Sequence, residues 1–104
     1  MKALRLLPEV LEDVAQAARW YDEEGHIGLG ARFISTFYAS LPHIQQDGQI
    51  YRVVHQGFRR IILNPFPYAV YYRYHKNLVV IALVFHAARN PKRLKRLLRQ
   101  RRGP

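Results

Sequence analysis

The chain contains no cysteine, so disulfides and thiolate metal sites are excluded and a reducing cytoplasm is the expected setting. It contains no long hydrophobic run either. The longest, Leu78 to Phe85, has eight residues, whereas crossing a bilayer takes about 20. The opening MKALRLLPE lacks an apolar stretch of signal-peptide length. A cytoplasmic location and no membrane partner are therefore expected. Glycine and proline number six each, with no repeat and no low-complexity tract. The 104 residues, 49% hydrophobic, are read as one compact domain spanning 1–104.

The most informative absence is that of acid in the second half. All seven carboxylates fall in the first 47 residues, which also hold Lys2, Arg5, Arg19 and Arg32, for a net charge of −3. From Gly48 onward there are 13 Lys and Arg and no acid. Solubility requires net charge but not one sign kept to one half. This asymmetry sets up a field that attracts a polyanion or an acidic protein partner.

Periodicity predicts the elements. KALRLL (2–7) reads as a first strand. Pro8 suits the first helical position, Glu9, Glu12 and Asp13 suit the positive end of a helix, and Leu11, Val14, Ala18 and Tyr21 make an apolar stripe that ends at Gly25 and Gly28. A second helix is predicted from about Leu29 to Gln46 on Leu29, Phe33, Ile34, Phe37, Leu41 and Ile44, with Pro42 expected to kink or weaken its last turn. Together they read as a helical hairpin. The period then changes. FRRIILN (58–64), YAVYYRYH (68–75) and LVVIALVF (78–85) read as three strands in a meander. NPFP (64–67) makes one turn and KN (76–77) the other, with Asn77 supplying a left-handed conformation. The last strand is apolar on both faces, so it is predicted to be central and covered on both sides. A basic C-terminal extension (89–104) carries Leu94, Leu97 and Leu98 on one side of a short helix or tail. The helices cover one sheet face, and the other is expected to be more open and lined by basic residues.

This ordered set resembles the RelE/ParE family of bacterial type II toxin–antitoxin systems, closer to its ParE-like members. LPEVLEDVAQAARWYDEEG is similar to the family's first helix, GLGARFISTF to the start of its second, and RRIILNPFPYAVYYRYHKNLVVIALVFHAARNP to its strand core, including the HxxR of His86 and Arg89. The resemblance implies an α+β fold of order β-α-α-β-β-β, with the two-helix hairpin packed on a mostly antiparallel sheet. It implies a growth-arresting toxin of the plasmid-stabilisation kind, held by a cognate antitoxin with an acidic segment. It implies either of two targets, DNA gyrase for ParE-like members or the ribosome and its mRNA for RelE-like ones.

Cleaving RNA through its own 2′-hydroxyl needs a proton acceptor, a cation at the phosphate and an acid for the leaving oxygen. Arg59, Arg73 and Arg89 are candidate cations, because the guanidinium binds phosphate as a planar fork and stays charged. His55, His75 and His86 are the candidate acid–base groups, and His86, after the last apolar run and beside Arg89, is the best placed. Its alternative role is a hydrogen-bonding strand-end residue. No carboxylate follows Asp47, and Ala87 stands where nuclease members place tyrosine after such a histidine. The chemistry thus favours a ParE-like toxin that acts by contact, with the metal-independent endoribonuclease as the alternative. A non-toxic antitoxin- or nucleic-acid-binding module comes third. The binding candidates are Arg60, Tyr71, Lys92, Arg93, Arg96 and Arg99. Tyrosines of 68–74 either stack on bases or pack across strands. The basic extension either binds nucleic acid, engages antitoxin or target, or frays in solvent. The five histidines are scattered without ligand spacing, so neither metal nor cofactor is expected.

Overall fold

The computed structural model describes residues 2–102. Strand β1 (Ala3–Leu6) leads into helix α1 (Pro8–Trp20), a π-turn (Tyr21–Gly25) and helix α2 (Leu29–Asp47), which tightens into a 3₁₀ turn (Gly48–Ile50). Strands β2 (Val53–His55), β3 (Phe58–Ile62), β4 (Tyr68–His75) and β5 (Leu78–His86) follow, then helix α3 (Pro91–Gln100). The strands form one sheet in the order β1-β5-β4-β3-β2, with β1 parallel to β5 and every other pair antiparallel. This is the expected α+β architecture with one strand more. The added strand β2 has three residues, too few for alternation to register. Its signal was the dipeptide Gln56–Gly57, where φ values of 43° and 85° form a tight hairpin turn. In the other hairpin the left-handed residue is Lys76 (φ 57°), not Asn77.

The hairpin buries Val10, Val14, Ala17 and Ala18 of α1 against Phe33, Phe37, Leu41 and Ile44 of α2 and the sheet. Leu11, expected in the buried stripe, is 51% exposed. The helix packs on both β5 and α2, which centres its inward face on Val10, Val14 and Ala17, and Leu11 lies a further 100° around. Two helical segments meet at Asp22, whose Oδ1 accepts the Gly28 and Gly30 N–H groups at 3.2 and 2.8 Å and so caps the start of α2. A Cβ at Gly30 would stand 2.5 Å from the Ala18 carbonyl oxygen, so the crossing requires glycine there. Pro42 does not end α2, which continues to Asp47. Its last turn is held from the sheet: the Tyr74 hydroxyl donates to the Ile44 carbonyl (2.9 Å) and the Tyr72 hydroxyl to that of Gly48 (2.7 Å). Burial pushes both phenols above their ordinary pKa.

Tyr68, Val70, Tyr72 and Tyr74 face the hairpin, and Ala69, Tyr71 and Arg73 face the other way. That second face was expected to be open, but α3 lies against it. Leu98 is fully buried, Leu94 and Leu97 pack against the core, and Arg93 sits 5.8 Å over the Phe85 ring. β5 is therefore covered on both sides, as its apolar sequence predicts, with Val79 to Val84 buried throughout.

β5 carries a bulge at Ala82, because Tyr71 pairs with Leu83 while Tyr72 pairs with Ile81. β1 runs alongside β5 only as far as Ile81. Beyond it the edge of β5 has no strand neighbour, and side chains take over. Asp13 of α1 accepts the Val84 N–H at 3.1 Å, and Arg101 donates to the Ala82 carbonyl at 3.3 Å. The two side chains also form a two-pronged ion pair, with the second contact at 3.0 Å and each side chain 14% exposed. Breaking a largely buried pair from one side strands the other charge. Asp13→Ala should therefore lower the unfolding free energy by about 3 kcal/mol in urea titration. Gly30→Ala should cost about 1–3 kcal/mol in the same measurement, through overpacking against the Ala18 carbonyl.

Candidate functional site

Where β1 stops, α1 and α3 flank the uncovered end of β5 and leave a groove of about 410 Å³. Its α1 wall carries Glu9, Glu12 and Asp13, and its other wall Arg89, Arg93 and Arg101. Tyr68 and His86 lie on the floor, paired across β4 and β5 with their rings edge to face at 5.4 Å. His86 Nδ1 accepts the Ala88 N–H at 3.2 Å, and its carbonyl accepts the Arg89 N–H. The imidazole thus orders the turn after β5, which leaves Nε2 as its one free nitrogen.

The four residues of the ribonuclease hypothesis are not brought together. His86 and Arg89 share the groove. Arg73 pairs with Val80 near the far end of β5, six residues from His86, or on the order of 20 Å at strand rise. Its guanidinium donates from Nε (2.8 Å) and from a terminal nitrogen to the Arg102 carbonyl. Burial, with the Arg102 charge second, draws its pKa below the usual arginine value. Arg59 pairs with Tyr72 and so lies on the opposite, hairpin face, where it donates to the carbonyls of Gln49 and Tyr51. Arg59 and Arg73 thus tie loop and C-terminal backbone to the sheet. The pull of a guanidinium on several carbonyls cannot be told in sequence from a pull on phosphate.

The binding candidates divide as well. Tyr71 is fully buried and its hydroxyl accepts a bond from half-buried Arg60 at 3.3 Å, so it cannot touch a partner as expected. The tyrosines of β4 are packing residues, and the edge-to-face contacts of Tyr68 with Tyr21 and Phe33 continue that packing into the hairpin. Lys92, Arg93, Arg96 and Arg99 are exposed on α3, together with Lys95. None of the ion pairs formed among the described residues includes any of these five. Asn90 caps α3 by accepting the Arg93 N–H at 3.1 Å, and Pro91 occupies its first position, so the extension is a helix rather than a frayed end.

Sequence reasoning passed over a second surface. Leu11, Trp20, Ile34 and Tyr38 are exposed on the hairpin, at 51, 51, 37 and 49%. Gly30 touching Ala18 sets the antiparallel helix register, and seven residues along each helix from that point bring Leu11 level with Phe37 and Tyr38. The three aliphatic and phenolic side chains Leu11, Ile34 and Tyr38 therefore line the outer seam between the helices. The signal was present as residues in excess of the inward stripe. Among the described residues no group of three His, Asp or Glu can hold a metal ion, and no helix is long and apolar enough to cross a membrane.

Comparison with known proteins agrees with this geometry. No curated protein matches the chain. A solved structure described as a chromosomal ParDE TA system from P. aeruginosa superposes with a TM-score of 0.72 at 13% identity, covering 83% of this chain and 96% of that one. At that identity the likeness speaks to the fold. The family model described as the ParE toxin of the type II toxin–antitoxin system, parDE, matches residues 4–91, from the second residue of β1 to the first residue of α3. The chain belongs to the ParE toxin family of type II toxin–antitoxin systems.

Proposed function

We propose that this chain arrests growth by binding DNA gyrase, without bond chemistry of its own, and that a cognate antitoxin relieves the arrest. Membership of the ParE family supplies the toxin and its antitoxin. One observation carries the choice of a binding mechanism. The residues that RNA cleavage would need are split between two sheet faces and two ends of β5. Arg59 and Arg73 are also already bound to backbone carbonyls. His86 holds a turn through Nδ1, and of the carboxylates that α1 brings to its groove (Glu9, Glu12 and Asp13) Asp13 is already paired with Arg101 and Glu12 with Arg19. The exposed basic residues are the ones left for a macromolecular target. A cytoplasmic setting follows from the same reading, since gyrase is there.

The antitoxin needs a surface of its own, and the apolar seam of the hairpin fits one. Monomeric proteins seldom expose neighbouring large apolar groups without a partner. An amphipathic antitoxin segment laid along Leu11, Ile34 and Tyr38 would remove them from water, and the basic half would steer its acidic residues.

Purified protein is expected to inhibit supercoiling by gyrase and to leave transcripts intact in induced cells. His86→Ala should keep this inhibition and lower the melting temperature by only a few degrees, the effect of about 1 kcal/mol from one lost turn bond. Transcripts cut within codons on the ribosome, abolished by His86→Ala, would instead establish the ribonuclease. In cells, Ile34→Asp with Tyr38→Asp should preserve growth arrest while antitoxin co-expression no longer restores growth. Unaltered rescue would remove the seam as the antitoxin surface.

A further inference from the structure

We infer that the outward face of α3 is a binding surface for the backbone of duplex DNA. Lys92, Lys95, Arg96 and Arg99 project from it, with Arg93 at its edge over Phe85. The helix is not a loose basic tail. Leu98 is buried beneath it, Arg101 fastens it to Asp13 on α1, and the Arg102 carbonyl is bound by Arg73 on β4. Its cations are therefore held in register on a rigid support, with no acid on the helix or after it to neutralise them.

The composition of the face selects the ligand. Protein interfaces carry apolar or aromatic anchors at their centre and are poor in lysine. Here every leucine of α3 points inward and the outward positions hold cations and Gln100. An acidic peptide would find charge but nothing to pack on. Single-stranded nucleic acid would want an aromatic platform, and no aromatic residue lies between Asn90 and Arg102. What remains is a ligand of dense, regular negative charge that makes no apolar demand. Lys92, Arg96 and Arg99 recur at intervals of four and three, one stripe about 10 Å long at helical rise. Such a stripe tracks successive phosphates, with affinity supplied by counterion release and no dependence on sequence. The choice of DNA over duplex RNA rests on the proposed gyrase target, which holds duplex DNA. Binding by the basic face itself does not rest on it.

The test needs neither gyrase nor antitoxin. Fluorescence anisotropy with a labelled 20-base-pair DNA of arbitrary sequence should give binding that weakens with salt, with a slope of log K on log salt of about −3 to −4. The triple variant K92A/R96A/R99A should lose at least ~10-fold at low salt and flatten that slope by about two to three. The charge-matched control R5A/R32A/R52A removes three exposed cations from elsewhere and should lose under ~3-fold, with both variants retaining the wild-type melting temperature. Equal losses in the two triples would reduce the effect to overall charge and overturn the proposal. Tighter binding of a glutamate-rich peptide than of duplex DNA would overturn it in favour of an acidic protein partner. Tighter binding of a duplex RNA of the same length, or of the single strand, would overturn the choice of ligand. Gyrase inhibition that survives in K92A/R96A/R99A alongside lost DNA binding would leave the gyrase reading standing. Loss of gyrase inhibition with DNA binding intact would not touch the DNA reading.

Discussion

The ion pair between Asp13 and Arg101 closes the stretch of β5 that β1 leaves without a strand neighbour. β1 pairs with β5 for four residues and then stops, while β5 continues for five more. A buried strand edge with unpaired N–H and C=O groups is costly. The carboxylate takes the Val84 N–H, the guanidinium takes the Ala82 carbonyl, and each takes the other. Because Asp13 belongs to α1 on one sheet face and Arg101 follows α3 on the other, the same contact joins the two layers around the edge. The last helix, its leucines and its basic face take their positions from that join.

The lopsided charge of the chain follows the same logic. Several acids of the first half are taken up within the structure. Asp13 closes the β5 edge and Asp22 caps α2 through Gly28 and Gly30. Glu12 pairs with Arg19 on the surface of α1, and Asp47 stands 3.9 Å from His43 at the end of α2. The second half divides its cations into an inward and an outward set. Arg59, Arg73 and Arg101 hold carbonyls or a carboxylate, and the exposed cations of α3 form none of the ion pairs among the described residues, with Arg93 resting over the Phe85 ring. Five of the thirteen cations of the second half thus stand exposed on one helix.

Much of this was legible from the residues alone. The helix spans, the strands 68–75 and 78–85 and the two-sided burial of β5 follow from periodicity and from the run LVVIALVF. The division of β4 into Tyr72 and Tyr74 on one face against Tyr71 and Arg73 on the other follows from alternation. What alternation cannot tell is what stands over each face. Tyr71 read as a surface residue because nothing in its own strand announces that α3 folds back over it. Arg59, Arg73, His86 and Arg89 read as one set because all are basic and close in the sheet region. Their separation depends on strand register and on a bulge at Ala82, neither of which leaves a mark in composition. Leu11 was misplaced by one helical position, since a stripe on two contact faces is wider than either face. The Asp13–Arg101 pair spans 88 residues of sequence, and no local pattern announces it.

The central claim is that the closed β5 edge turns the C-terminal basic segment into a rigid face. Amide hydrogen exchange on the intact chain addresses it directly. The account predicts that the Val84 amide and the amides of Leu94 to Leu98 are protected together, at a level close to that of the central strands. Exchange of the α3 amides at the rate of an unstructured peptide, with β4 and β5 still protected, would contradict it and return the segment to a solvated tail.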